Sequence, residues 1–437
     1  MKQFAAALAC VVAAVVTLAA RAPQSSVGLA LFDEVWSTVN ESYYDPTFGG
    51  LSWVGVRDEL RPKAAAARSE DDARAVVNEM LGRLKRSHFA LLASSGGYDD
   101  EMVLKGEANF GVEARVAAGG VVVTHVVSRG VSTAKAFAPG QRIVSIDGRS
   151  MAPRTGESPL ISWRRVNAAM HGPAGSTAGV VVRTLDGAEQ SFKVSRFVPS
   201  GELVQFSNLP PIRVNVDQRS ATTPGGRRVG VIGFNIWMAQ IAAPVEKAID
   251  TFRSADGLIF DLRGNPGGLA LMISSIAGHF VDTPDTLGVM RTRQVPQLKF
   301  VVNPRRSTMD GRSVSPFAGP VAIIVDELSA SATECFAGGL QDLGRARIFG
   351  RTSMGQALPA STKRLANGDV LEYAIGDFVT SKGRSLEGAG VVPDEAQPLS
   401  LASLAAGKDD ALAAALAWID RGRAPRTKHQ SRVYRSR

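Results

Sequence analysis

The sequence predicts a multidomain α/β (α+β) protein, on three changes of texture. Apolar residues at helical spacing mark residues 27 to 92. Short strands and glycine turns fill about 104 to 197. From about 198, apolar strands alternate with helical stretches, the layer pattern of an α/β core. With 437 residues, 45% of them hydrophobic, the chain is long enough for two or three cores. The expected divisions are 1–22, 27–100, 101–197, 198–420 and 421–437.

Residues 1–22 are a different material. Lys2 gives a positive start, Phe4 to Ala20 is almost unbroken Ala, Val and Leu, and Ala19, Ala20 and Ala22 are candidate cleavage sites. Pro23 disfavours the last of these. This is the pattern of a secretory signal peptide, so an exported protein, periplasmic or secreted, is expected. A membrane anchor is the alternative, for which the run is short. Cys10 lacks the context of a lipid attachment site. Once the leader is removed Cys335 is the single cysteine, so no internal disulfide can form, and its apolar helical neighbours make it a core residue.

The helical segment places Leu29, Phe32, Val35, Trp36 and Val39 on one face, and a second helix is expected from about Glu70 to Leu84 with Ser69 as its N-cap. The glycine-bearing S-S-G-G-Y-D-D follows as a loop. Next come G-V-E-A-R-V, a Gly-Gly turn, V-V-V-T-H-V-V, a small-residue helix at S-T-A-K-A-F, and A-P-G-Q-R-I-V-S-I-D-G. A strand pair turns at Asp186-Gly187. In the core, V-G-V-I-G-F, G-L-I-F-D-L-R, P-V-A-I-I-V-D and A-R-I-F-G read as strands, with helices near 241–253, 268–280 and 331–343. An Ala-rich helix at about 408–420 closes the folded part. The formal charge of +9 comes largely from the tail 421–437, which carries seven Arg and Lys residues and no acid. Such a tail is expected to be solvated and disordered. It could contact an anionic envelope surface; no nucleic acid partner is expected.

Two loops share one design, D-L-R-G-N-P-G-G at 261–268 and D-E-L-S-A-S-A-T-E at 326–334. Each leaves an apolar strand and opens a helix. Glycines let backbone N–H groups face a ligand, and a helix start adds unpaired donors. A serine on one loop with donors from both is the geometry of acyl transfer. Taken singly, each loop also fits a helix cap or a tight turn. The first is no phosphate loop, because no G-K-[ST] ends it.

In combination, the helical start, the G-V-E to I-D-G module, D-L-R-G-N-P-G-G, S-A-S-A-T-E and G-V-V-P-D resemble the carboxyl-terminal processing (tail-specific) proteases, a serine peptidase superfamily that includes the tricorn core. The resemblance covers roughly residues 27 to 420. It implies a PDZ-like module at 101–197, inserted before a core of the crotonase and Clp peptidase type. It also implies Ser331 as nucleophile, Ala332 N–H as one oxyanion donor, and Gly267 or Gly268 as the other.

The sequence departs from the tail-specific pattern at the base. Those proteases use a lysine where this chain has Gln356, and Ala360 replaces a supporting glutamine. A neutral amide cannot act as general base. The tricorn-type branch carries a Ser-His pair at the end of the helical segment and a glutamate before its G-V-x-P-D. By that resemblance His88 is the base, Ser87 its helper and Glu387 the third member. Lys363 or Lys382 as a substitute base is a weaker alternative. N-F-G-V at 109–112 looks like a carboxylate-binding loop, so Phe110, Gly111 and Val112 would hold a peptide C-terminus and V-E-A-R-V would pair with it. The expected function is therefore an exported serine endopeptidase acting on protein or peptide substrates, with no metal or organic cofactor. Its rival is an inactive relative that binds peptide C-termini.

Overall fold

A computed structural model describes residues 25–94, 101, 104–117, 119–127, 131–205, 211–295 and 297–422. The expected leader 1–22, most of the S-S-G-G-Y-D-D loop and all but the first two residues of the basic tail lie outside them.

Three helices open the described chain: α1 (Ser25–Ser42), α2 (Trp53–Ala65) and α3 (Glu70–Gly82). α1 buries Phe32, Val35 and Val39, as its spacing predicts. Ser69 caps α3 by accepting from Asp72 N–H at 3.1 Å, and three acids in the first turn suit the helix dipole. α2 lies within the segment expected to be helical, and Trp53, Val56, Leu60 and Ala64 make its buried stripe; charged residues and Pro62 dilute the pattern that would set its bounds. The core of this segment is completed from far along the chain by Leu358, Leu365 and Leu371. A short strand, β1 (Ala90–Leu92), leaves the helices for a sheet made with later strands.

The middle module runs β2 (Val112–Ala117), β3 (Gly120–Val126), α4 (Val131–Ala136), β4 (Arg142–Ile146), β5 (Arg149–Ser150), α5 (Pro159–Met170), β6 (Thr177–Arg183) and β7 (Glu189–Ser195). Its sheet order is β2-β3-β4-β6-β7, so β2 is an edge. α5 was missed. Ser158 accepts from Ile161 N–H at 3.3 Å and Pro159 takes the first helical position, both N-terminal signals. The helix lays Val166 and Met170 against Phe110, Val121, Ile143 and Val180.

After a small hairpin of β8 (Glu202–Val204) and β9 (Ile212–Val214), the core follows. It contains β10 (Val216–Thr222), β11 (Arg228–Phe234), α6 (Ala242–Thr251), β12 (Gly257–Asp261), α7 (Met272–Ala277), β13 (Asp285–Thr292), β14 (Leu298–Val302), β15 (Val321–Val325), α8 (Ala332–Asp342) and β16 (Ala346–Gly350). β17 (Ala360–Arg364), β18 (Val370–Ala374), β19 (Gly376–Thr380), β20 (Glu395–Ala396), α9 (Leu401–Ala405) and α10 (Asp410–Asp420) complete it. The main sheet is ordered β10-β11-β12-β15-β16-β20, parallel from β11 onward. Its central strands are apolar along their length because helices cover both faces. Ile232, Phe260 and Ile323 face α6, α7 and α8; Val231, Ile259 and Ile324 face Ala415, Trp418 and Ile419 of α10. α7 starts later than expected because Leu269 N–H is bound to Trp237 O at 2.7 Å, which keeps 268–271 in the loop.

Candidate functional site

Both predicted loops leave neighbouring parallel strands, β12 and β15, at their C-terminal ends, where open α/β sheets place ligands. Asn265 staples them together. Buried in the first loop, it accepts from Ala330 N–H at 3.0 Å through its carbonyl, from Gly267 N–H at 3.0 Å through Oδ1, and holds Thr333 Oγ1 at 2.9 Å. Gly267 has φ +99°, and a Cβ there would lie 2.5 Å from Ser331 Cβ and 3.0 Å from Ala332 N. A glycine is required for this approach. The loops thus face one another across Gly267 and Ser331. Gly267 N–H is turned into its own loop, to Asn265. Gly268, at φ +130°, sits against Trp237, where a Cβ would come 2.3 Å from the carbonyl oxygen.

The two serines of S-A-S differ. Ser329 is buried, donating to Leu262 O at 2.8 Å and accepting from Asp326 N–H at 3.0 Å, so it closes the turn. Ser331 is half-buried, immediately before α8, with φ +55° and ψ −121°. A non-glycine residue there costs about 1–3 kcal/mol of strain and persists only where its surroundings fix it. They do: Ser331 N–H lies 2.8 Å from Gln356 O and 3.0 Å from Glu334 Oε2. Glu334, buried on α8, also accepts from Ser353 Oγ at 2.5 Å, Gly355 N–H at 2.7 Å and Gln356 N–H at 3.0 Å. Burial pushes its pKa up, against the pull of these hydrogen bonds.

His88 comes from the other end of the chain. It too has a left-handed backbone, φ +58°, so it and Ser331 are two of the five described non-glycine residues with positive φ. Its Nδ1 is 2.8 Å from Ser87 Oγ, which donates to Glu387 Oε2 at 2.8 Å; Ser87 N–H donates to Glu387 Oε1 at 2.8 Å. A hydroxyl has one proton. If Ser87 gives it to the carboxylate, it accepts from His88 Nδ1–H, and the lone pair is left on Nε2. Burial pushes the His88 pKa below the ordinary histidine value, against the pull of Glu372 and then Glu387. Glu387 Oε2 also accepts from Ala357 N–H at 3.1 Å. The Ser87–His88–Glu387 network is therefore pinned to residue 357, next to the residue that holds Ser331 N–H.

Gln356 contributes its backbone to both Ser331 and Glu334. Lys363 is turned toward α1, with Nζ 3.0 Å from Thr38 Oγ1 and 3.2 Å from Glu34 Oε1, and Lys382 is exposed. Lys363 is thus engaged by Thr38 and Glu34 of α1. Ala360 begins β17 and is exposed.

In the middle module Phe110 is fully buried in the core. Gly111 N–H donates to Asn109 Oδ1 at 2.8 Å, and Val112 starts β2. From β2, Arg115 reaches into the core and donates to Asp326 Oδ2 at 2.5 Å, while Gly264 N–H donates to Asp326 Oδ1 at 2.9 Å. Burial alone would raise the Asp326 pKa; Arg115 and the Gly264 N–H hold it below the usual carboxylate range. Cys335 is buried and unpaired.

Sequence reasoning passed over Asn265, Glu334 and Glu372. The first two lie inside the motifs already singled out, G-N-P-G-G and S-A-S-A-T-E, so the signal was present as a polar residue at a fixed offset. Glu372 carries none, since only the pairing of Ala90 with Glu372 across β1 and β18 brings it near His88. Among the described residues no cluster of His, Cys, Asp and Glu could hold a metal ion, and no helix is long and apolar enough to cross a membrane.

Comparison with known proteins agrees with this architecture. Residues 228–397 match Peptidase family S41, and residues 30–82 match the Tricorn protease C1 domain. The chain is 26% identical over 373 residues to a carboxyl-terminal-processing protease of Synechocystis sp., covering 83% of this chain and 80% of that one. It is 24% identical over 371 residues to the chloroplastic carboxyl-terminal-processing peptidase 3 of Arabidopsis thaliana, covering 83% and 67%. In fold it resembles the photosystem II D1 C-terminal processing protease, with TM-score 0.57, 22% identity and coverage of 88% and 98%. It likewise resembles mature CPAF, with TM-score 0.60, 13% identity and coverage of 91% and 96%.

Proposed function

We propose that this chain, a serine-type peptidase whose residues 228–397 belong to peptidase family S41, is an exported endopeptidase that works through an acyl-enzyme on Ser331 with His88 as general base. The observation that carries the reading is the shared anchor at residues 356 and 357. Gln356 O holds the Ser331 backbone, and Ala357 N–H holds Glu387, which holds Ser87 and through it His88.

In the reaction, His88 Nε2 takes the Ser331 hydroxyl proton as Oγ bonds to the scissile carbonyl carbon. The imidazolium then gives the proton to the leaving amine, and water activated by the same nitrogen frees the acyl group. Glu387 acts through Ser87 to keep the ring in its productive tautomer, and its charge favours the imidazolium. The lowered His88 pKa keeps the imidazole neutral and basic near pH 7. Gly268 and Ala332 supply the oxyanion N–H donors, since Gly267 N–H is engaged by Asn265. Phe110, Gly111 and Val112 of the PDZ-like module receive a peptide C-terminus. The leader at 1–22 supports export.

A serine-directed fluorophosphonate probe tests this reading. Wild type should label, and Ser331→Ala and His88→Ala should not. Robust Ser331-dependent labelling of the His88→Ala protein would exclude His88 as base. A wild type that never labels yet binds peptide C-termini would be the inactive relative instead.

A further inference from the structure

In the PDZ-like module the edge strand β2 packs beside helix α5, with Phe110, Ala114, Val166 and Met170 in the apolar core beneath them. A peptide strand adding to β2 would pair with the outward backbone groups of that edge. The chain already uses one of them. Trp163 of α5 donates from Nε1 to Ala114 O at 2.9 Å, and Arg115 Nη1 reaches the same carbonyl at 3.1 Å. At the loop expected to take the terminal carboxylate, Gly111 N–H is spent on Asn109 Oδ1 at 2.8 Å. The Phe197 ring crowds this point so closely that a Cβ on Gly111 would lie 2.1 Å from its Cζ.

We infer that the seam between β2 and α5 is closed by the chain itself and that Trp163 is its gate, so that a peptide with a free, apolar C-terminus binds by displacing the Trp163 indole from Ala114 O. The inference rests on the reading of 109–112 as a peptide-capture loop. The exchange balances in hydrogen bonds. A peptide N–H replaces the indole N–H at Ala114 O, and the peptide carboxylate replaces the Asn109 amide at Gly111 N–H. Phe110, Ala114, Val166 and Met170 are buried while the indole is in place, and opening toward this apolar core sets the preference for an apolar last residue. Closure lowers the apparent affinity by the fraction of molecules that stand open. A single hydrogen bond sets the scale of that penalty at roughly 2- to 10-fold in Kd. A closed resting seam of this kind would favour peptides present at high local concentration, such as the end of a chain already engaged by the enzyme.

The experiment is an anisotropy titration of the full chain carrying Ser331→Ala, which prevents turnover. The probes are a fluorescein-labelled hexapeptide with a free C-terminal leucine and its C-terminal amide. Trp163→Phe keeps a ring in place and deletes the indole donor. It should tighten binding of the free acid by about 3-fold or more, with no gain for the amide. Trp163→Leu provides the same test should the first variant fold poorly. In the parent, saturation with the free acid should shift tryptophan emission, and the shift should vanish in Trp163→Phe. Equal or weaker binding by well-folded variants, with the parent still binding the free acid, would sink the gate alone. Absence of binding by parent and variants alike would overturn peptide capture and the gate with it.

Discussion

Ser331 is fixed by its own neighbourhood, whereas His88 is fixed by a carboxylate 300 positions from its partner Ser87. The serine stands on the turn between β15 and α8; Glu334, three residues on, clamps its N–H, and Asn265 on the adjacent strand's loop holds the residue before it. The histidine sits on an excursion between α3 and β1, and Glu387 reaches it from the region after β19. One half of the site is built with the core sheet, and the other is assembled when the helical segment docks on β17 and β18. A local half should tolerate damage to the docking, whereas an imported half should lose its geometry first.

The largest expected effect treats the halves as one unit. Ser331→Ala and His88→Ala should each lower turnover of an unstructured peptide by about 10⁴-fold or more, and the double variant should be little worse than either. Additive losses would show that the two residues work separately. Next in size is the local clamp. Glu334→Gln offers one acceptor oxygen where four donors converge, so buried N–H groups lose partners at about 1–3 kcal/mol each. A drop in the urea midpoint together with lost labelling is expected; an unchanged midpoint would refute the clamp.

Glu387→Ala strikes the imported half. It should reduce kcat by about 10- to 100-fold with KM nearly unchanged, because orientation rather than binding is lost. Ser87→Ala should do the same. A smaller effect concerns pH. As pH falls through the His88 pKa, the ring gains a proton and ceases to be a base. The acid limb of kcat/KM should therefore lie below the ordinary histidine value of about 6.5. Glu372→Gln removes a charge that pulls that pKa up, so the limb should move to lower pH, by roughly a few tenths of a unit. A limb that moves upward, or stays fixed, would show that Glu372 does not act on His88. The smallest effect is a predicted absence. Gln356→Lys should leave activity no higher, alone or with His88→Ala, because Glu334 and Glu387 are arranged around a backbone strap and a histidine.

Legibility in the sequence followed the same division. The core strands were readable because helices cover both faces of the sheet, and continuous apolar runs such as V-A-I-I-V announce that burial. The loops were readable because close backbone approach demands glycine, as at Gly267. The strands β17, β18 and β19 were not singled out. β17 and β18 mix polar and apolar residues, as in A-S-T-K-R and V-L-E-Y-A: β18 buries Leu371 and Ala374 in the helical core while Glu372 between them lies toward His88. The bounds of α2 and the presence of α5 are not legible in the sequence because charged residues interrupt their stripes. The expected carboxylate loop was named from N-F-G-V, but only the structure places Asn109 and Phe197 against it.

The sequence by itself determined the layered core, the two strand-to-helix loops and the absence of a lysine at Gln356. These depend on apolar periodicity, on glycine and on side-chain identity, all of which are local. The tertiary structure decided which residues meet. It brought Glu387 to Ser87, Glu372 toward His88, Arg115 to Asp326 and Trp163 to Ala114. Such pairings depend on how separate segments dock, and docking is driven by apolar burial, which is non-directional and leaves no mark on the polar residues it carries along.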